Sequence, residues 1–434
     1  MSEFNQDGLE WDDSGFDLVP CWTREPSTDA IETVCRKSLH LSSDDTCTIS
    51  FHAAGAFNKL YLVNACDQSL LMRVSLPVYP HYKTRGEVTT LRWLRDNIDI
   101  PVPRVIDFDT SNDNEIGFEW ILMELMPGSS AWRRWRTLSM AQKVFFTQRV
   151  AEFQAQLFRH GFPGASFRGI GTLHSVAEKT SPVPGKMVSH MFFMGDHIKY
   201  DVARGPFRSS HDWLRSYFEI AIQEYKVILA NTDDEDDKEE AEDVLQVADR
   251  LLALLPKIFP SIEEPPERTV LWHDDLGLQN ILIDEQGDIT AVIDWECVSP
   301  LPLWRATRMP KFLRGRDRED EPKRDSYPAD TSAGPAASAK DTDPDDLDNE
   351  GKDELFWIHL MEYEQTQLRK IYNDKMKSLW PDWTLQVEES KLKFDFYDAA
   401  VRCCGGVYLK RILRWVDKIE KGEFADLQTV LHTV

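Results

Sequence analysis

The sequence predicts an α+β protein in which strands come first and helices follow. Three observations carry this. Short strand-like runs crowd residues 47–127, apolar residues at 3-4 spacing dominate from residue 139, and Val270–Glu296 returns to strands within the helical part. At 434 residues, 42% of them hydrophobic and with 14 Trp and 22 Phe, the chain can bury a substantial core in one large or two modest domains.

The strand-rich part starts at Cys47. Thr48–His52 and Phe57–Val63 read as strands around Ala53-Ala54-Gly55-Ala56, and Leu70–Ser75 as a third. Thr84–Asn97 is helical, with Val88, Leu91 and Leu94 on one stripe, and the X-Pro steps at Pro101 and Pro103 stop it. Val105–Asp109 and Phe118–Met126 are two further strands, ending at Pro127-Gly128. Ser139 with Gln142 then forms a capping box for a helix bearing Phe146, Val150, Phe153 and Leu157, with Gly161 as its cap. Residues 162–208 are irregular. Ser209–Asp212 caps a helix with Leu214, Phe218, Ile222 and Tyr225 on one face. Residues 231–243 read as a solvated acidic loop, followed by a helix carrying Val244, Val247, Leu251, Leu254 and Leu255 that stops at Pro256. Leu355–Lys377 and Lys391–Lys418 complete the helices. Residues 316–352 are rich in Pro, Ala, Ser and acids without periodicity, a composition expected to stay disordered because it cannot offset ordering entropy.

The formal charge of −24 is local. Residues 1–20, 231–243 and 341–354 carry −6, −8 and −7, leaving −3 for the rest. The body is therefore near neutral, which argues against nucleic-acid binding, where clustered Lys and Arg are needed. Residues 1–46 form an acidic extension in which Trp11, Phe16 and Trp22 offer docking points. Seven scattered cysteines without C-x-x-C spacing point to a reducing compartment. With no secretory leader and no run of about 18 apolar residues, a cytoplasmic location without a membrane span is expected.

The chemistry is concentrated in V-L-W-H-D-D-L-G-L-Q-N-I-L-I-D-E-Q-G-D-I-T-A-V-I-D-W-E, residues 270–296. A short apolar strand runs into a polar loop carrying His273, Asp275 and Asn280. A hairpin across Asp284–Asp288 then ends at Asp294. H-x-D-x-x-x-x-N followed by a hairpin and an I-D-aromatic step is how phosphotransferases of the kinase type lay out their chemistry. On these residues the chain resembles the aminoglycoside phosphotransferase and choline kinase-like superfamily. The run R-G-P-F-R-S-S-H-D-W-L, residues 204–214, is similar to a fungal branch of it with largely unassigned substrates.

The resemblance implies a two-lobed, protein-kinase-like fold, with a small lobe at 47–127, a large lobe at 128–434, a catalytic segment at 271–296 and closing helices at 355–420. It implies ATP and magnesium as cofactors and a small-molecule hydroxyl as acceptor. Asp275 would be the catalytic base, and Asn280 and Asp294 the magnesium ligands. Adjacent residues on extended chain face opposite ways, so Asp274 should point away from the phosphates. Gly55, Ala56 and Phe57 stand where the phosphate-covering loop belongs. Arg73 stands where a phosphate-contacting Lys is usual, with Glu87 as its ion-pairing partner. Arg can serve, being permanently charged and forked, and Lys59 is the competing phosphate contact. Backbone around Glu124 and Met126 would meet the nucleotide base. The basic run from Thr307 to Arg316 reads as a solvated loop beneath the site. The alternative is a kinase-like scaffold without turnover, and the oligomeric state is left open.

Overall fold

The computed structural model describes residues 5–15, 18–161, 167–175, 181–262, 264–329 and 347–432. The chain opens with a hairpin, β1 (Leu9–Asp12) and β2 (Val19–Trp22), and a helix, α1 (Thr28–Ser38). Five antiparallel strands follow: β3 (Cys47–Ala54), β4 (Asn58–Ala65), β5 (Gln68–Ser75) and, after helix α2 (Tyr82–Asn97), β6 (Val105–Asp109) and β7 (Glu119–Glu124). Their spatial order is β3-β4-β5-β7-β6.

Side-chain alternation divides this sheet into two faces. Tyr61, Val63, Met72 and Val74 face α1, where Ile31, Val34 and Cys35 close an apolar layer. On the other face Val88 of α2 packs against Ile121 and Met123 of β7. The extension expected at 1–46 is thus largely a built third layer. Trp11 and Trp22 pack against it as docking points, and Arg24 lies over the Phe118 ring at 4.8 Å. Phe16 lies outside the described residues.

The larger part begins with β8 (Ser129–Ser130), α3 (Ala131–Arg134) and α4 (Met140–Gly161). Short pieces follow: β9 (Phe167–Arg168), β10 (Leu173–His174), β11 (Val183–Pro184) and α5 (His190–Phe193). Helices α6 (Ser210–Asn231) and α7 (Glu235–Ile258) pack as a pair. Strands β12 (Arg268–Trp272), β13 (Ile281–Ile283), β14 (Ile289–Val292) and β15 (Ser299–Pro302) then carry the polar stretch, followed by α8 (Leu303–Ala306). Helices α9 (Glu354–Leu379), α10 (Trp383–Cys404), α11 (Leu409–Glu420) and α12 (Leu427–His432) finish the chain. Phe146, Leu214, Leu251, Tyr372, Phe396 and Trp415 from six of these helices share one core.

Several expectations are corrected. Most of the acidic run is helix: Asp234 caps α7 by accepting from the N–H groups of Asp236 and Asp237, and acids are favoured at that positive end. Pro256 does not stop α7, which runs on because Leu254, Leu255 and Ile258 are buried. The helix expected at 391–418 breaks at Gly405-Gly406, where Gly406 (φ +67°) and Tyr408 (φ +61°) are left-handed. Of the segment expected to be disordered, residues 330–346 lie outside the description, but both flanks dock. Arg318 pairs with Glu362, Tyr327 shares a hydrogen bond with His359, and Ala329 bridges Lys352. Among the described residues no helix is long and apolar enough to cross a membrane.

Candidate active site

Strand β12 is buried and held between β9 and β15, so it delivers His273 at a fixed point. His273 is a tether. It is 3% exposed, its Nε2 lies 3.1 Å from the Ile293 carbonyl, its ring meets Trp295 edge-on, and burial lowers its pKa. Asp274 turns away, as alternation requires, into a basic cluster. Burial opposes its charge, but Arg305 (2.5 Å) and Arg314 (3.5 Å), with Arg308, hold its carboxyl below the usual range. The basic run from Thr307 to Arg316 is therefore not simply a solvated loop: Arg308 pairs with Asp398, Lys311 with Asp275 and Arg314 with Asp274, and Arg305 just ahead of it is 2% exposed.

Asp275 faces the other way and is half exposed. Its Oδ1 pairs with Lys311 Nζ at 2.5 Å, and its Oδ2 accepts from Asn280 Nδ2 at 3.1 Å. A 3₁₀ turn over Leu278–Asn280 makes this return possible, with Asn280 Nδ2 also donating to the Asp275 carbonyl. The hairpin then closes through Asp284, whose Oδ1 accepts from the N–H groups of Gln286 and Asp288. Ile293 N–H donates to the Asn280 carbonyl, so Asp294 emerges next to Asn280. Asp294 sits at φ +64°, a left-handed conformation that Asp tolerates better than most residues.

Across the cleft the two parts meet in a buried ionic network. Arg73 Nη1 donates to Glu87 Oε1 at 2.7 Å, while Nη2 reaches Asp294 Oδ1 at 3.2 Å and Glu296 Oε2 at 2.6 Å. Glu296 Oε2 also accepts from Lys83 Nζ (2.6 Å) and Asn58 Nδ2 (2.9 Å). Asn58 Oδ1 in turn accepts from Lys83 and from the Ser75 hydroxyl. Burial works against the Arg73 charge, but Glu296, Glu87 and Asp294 outweigh it and raise its pKa. Glu296 is held well below the carboxylate range because Arg73, Lys83 and Asn58 overcome its burial. Burial, together with the charges of Glu296 and Asp294, pushes Glu87 up to about 7 against the pull of Arg73 and Lys83.

Lys83, Asn58 and Glu296 are the residues that sequence reasoning missed. Lys83 is 2% exposed because α2 enters under β7, where Glu119 accepts the His81 N–H at 2.6 Å and anchors the helix start. A Lys in a first helical turn carries no signal of this. Glu296 did carry one, an acid two residues beyond Asp294.

The remaining expected contacts fall differently. Lys59 points to the outer face of the sheet, opposite to Arg73, since Leu60 and not Lys59 pairs with Arg73. There it is ion-paired with Glu25 and lies over the Trp22 ring. Lys59→Ala should accordingly leave ATP affinity within about twofold, measured by equilibrium titration, since its charge is already engaged at the surface. Gly55 and Ala56 form the β3–β4 turn, with Gly55 N–H donating to the Asn58 carbonyl, and neither a left-handed φ nor a close contact demands glycine. Phe57 is buried against Phe193 and His190, so only its backbone remains for a ligand. Glu124 N–H donates to the Arg104 carbonyl and its Oε2 accepts from Arg104 N–H, which ties it to the sheet edge. Met126 follows at the crossing, before Gly128. There a left-handed φ of +103° and a would-be Cβ 2.7 Å from the Ile283 carbonyl do require glycine. Beyond the loop, Gly277, Leu278, Trp132, Trp135, Trp357 and Lys311 are among the residues lining a cavity of about 560 Å³.

The arrangement offers oxygen donors to a cation. Asn280 turns its NH₂ to Asp275, which leaves its amide oxygen uncommitted, and the Asp294 carboxylate is more than a third exposed. Among the described residues no group of three or more His, Cys, Asp or Glu could hold a metal ion. One carboxylate and one amide suit magnesium, which takes the rest of its oxygens from phosphates and water.

A model of the phosphotransferase enzyme family matches residues 48–305, a span that contains Asn58, Arg73, Lys83, Glu87, His273, Asp275, Asn280, Asp294 and Glu296 but not Arg308, Lys311, Arg314 or the α9 wall. A subtelomeric hrmA-associated cluster protein of Aspergillus fumigatus is 25% identical over 301 residues, 60% of this chain and 59% of its own length. A clavilactone A biosynthesis cluster protein of Ampulloclitocybe clavipes is 28% identical over 242 residues, 55% of each chain. This chain thus spans little more than half the length of either relative. Among solved structures, aminoglycoside phosphotransferase APH(4)-Ia aligns with 89% of this chain and 99% of its own at 15% identity and a TM-score of 0.43.

Proposed function

The chain belongs to the phosphotransferase enzyme family, and on that premise we propose that it moves the γ-phosphate of ATP to a hydroxyl of a small molecule. The supporting observation is the convergence of Asp275, Asn280 and Asp294 on a cleft whose opposite wall presents the Arg73–Glu87 pair. The acceptor oxygen attacks the γ-phosphorus, its proton passes to the Asp275 carboxylate, and the bond from phosphorus to the β,γ-bridging oxygen breaks to release ADP. Arg73 contacts the phosphates from a position fixed by Glu87 and Glu296. Lys83 offsets the Glu296 charge, so that with Arg73 two cations answer the three carboxylates Glu87, Asp294 and Glu296. Asn280 and Asp294 would hold magnesium, which when bound would neutralise charge on the phosphate oxygens. Backbone of the Gly55–Phe57 turn covers the phosphates and the Met126 region borders the base.

A scaffold without turnover is favoured by one observation, the engagement of Arg73 with three acids at once. The test has two arms. ATP with magnesium should raise the melting temperature, a ligand at 100 times its dissociation constant adding about 2.7 kcal/mol. ATP consumption against a panel of hydroxyl compounds, followed by mass spectrometry, should then yield a phosphorylated product. Stabilisation without product from any acceptor would favour the scaffold.

A further inference from the structure

We propose that the cavity beside the 273–280 loop takes an aromatic alcohol or phenol, and that this molecule is the hydroxyl acceptor. The second clause rests on the phosphoryl-transfer reading above; the first rests on the walls. Trp132, Trp135 and Trp357 contribute indoles to one cavity, with Phe312, Leu278 and Met361 between them. About 560 Å³ is within the range of small-molecule sites.

Two of the three carboxylates in the same walls are already matched. Glu364 is paired with the buried Lys143 at 2.6 Å, and Glu362 with Arg318 at 3.1 Å. Arg136 stacks over the Trp357 ring at 4.2 Å and donates to the Asp348 carbonyl. Glu354 is exposed at the rim. A polycation would find one unpaired wall carboxylate, Glu354, too few for several ammonium groups, and breaking the other two pairs would leave Lys143 or Arg318 without a partner. Aromatic surface instead favours an aromatic body by stacking.

At the end nearest the loop, Lys311 lines the cavity while its Nζ touches Asp275. A cationic head group would meet this ammonium first. A hydroxyl or phenolic oxygen would meet a donor at Lys311 and a proton acceptor at Asp275. Its oxygen then forms the bond to the γ-phosphorus, its proton goes to Asp275, and ADP departs with the electrons of the broken bond, so the step balances without a further reactant.

The flavanone naringenin serves as the probe and kanamycin as the polycationic comparison, both with the full chain. Titration of naringenin should quench tryptophan fluorescence saturably, and ATP with magnesium should convert it to a phosphorylated product. Trp357→Ala and the milder rim change Ile358→Asp should each weaken naringenin at least tenfold, while ATP affinity stays within twofold. Ile358 is 46% exposed, so its replacement spares the core. Absence of quenching up to the solubility limit, equal naringenin affinity in both variants, or kanamycin turned over at least as efficiently overturns the proposal. Binding that both variants weaken, with no product from naringenin, supports the cavity's ligand class and overturns its role as acceptor. Failure of ATP to stabilise the protein at all is the separate sign that the phosphoryl-transfer reading has failed.

Discussion

Asp275→Asn is expected to lower kcat by about 10²–10⁴, the range for losing a positioned general base, while nucleotide affinity stays within a few-fold. The side chain is half exposed and bonded to Lys311 and Asn280, not to the Arg73 network, so its loss leaves the phosphate side intact. Asn keeps the volume and an oxygen for Lys311 but cannot take the proton. Asp294→Asn should act differently, weakening magnesium-dependent nucleotide binding, because its carboxylate faces both Arg73 and the proposed metal. Nucleotide titration with and without magnesium, beside single-turnover rates, separates the two. Lost binding in Asp275→Asn with intact binding in Asp294→Asn would invert the roles.

Arg73→Ala is expected to destabilise the fold by about 3–5 kcal/mol, because Glu87 would be left buried without its cation. Lys83 still answers Glu296 and acts on Glu87 only at longer range, without an ion pair to it. The effect should depend on pH. In the parent, Glu87 is raised in the folded state, so its contribution to stability falls as pH rises from the ordinary carboxylate range towards about 7. Without Arg73 its folded pKa rises further, and the fall should continue above pH 7. Urea unfolding at pH 5.5 and 8.5 should therefore show a larger loss for the variant at the higher pH. Arg73→Lys should recover part of the stability and of the ATP affinity through charge, without the forked geometry. Equal stability of Arg73→Ala and parent at both pH values would show that the network is not a buried ion pair in solution.

The order of strands and helices and the compact 273–280 loop were legible in the sequence because each depends on short-range regularity, whereas the Arg73–Glu87 pair was reached only through the family resemblance. Period-2 runs make strands, 3-4 stripes make helices, and the spacing of Asp275 to Asn280 allows one 3₁₀ turn to bring their side chains together. What only the tertiary structure decided involves charges whose meaning lies in distant partners. Lys59 and Arg73 both sit on strands of the small sheet, yet pairing puts Leu60 opposite Arg73, so parity sends Lys59 to the outer face and to Glu25. Lys83 reads as an ordinary first-turn lysine until Glu296, more than 200 positions later, proves to be its partner. The same holds for Lys311 on Asp275 and for Glu364 on Lys143. A charged side chain belongs in solvent unless an opposite charge is brought to it, and local sequence cannot name that opposite charge, because burial of an ion is favourable only where the whole fold supplies its partner.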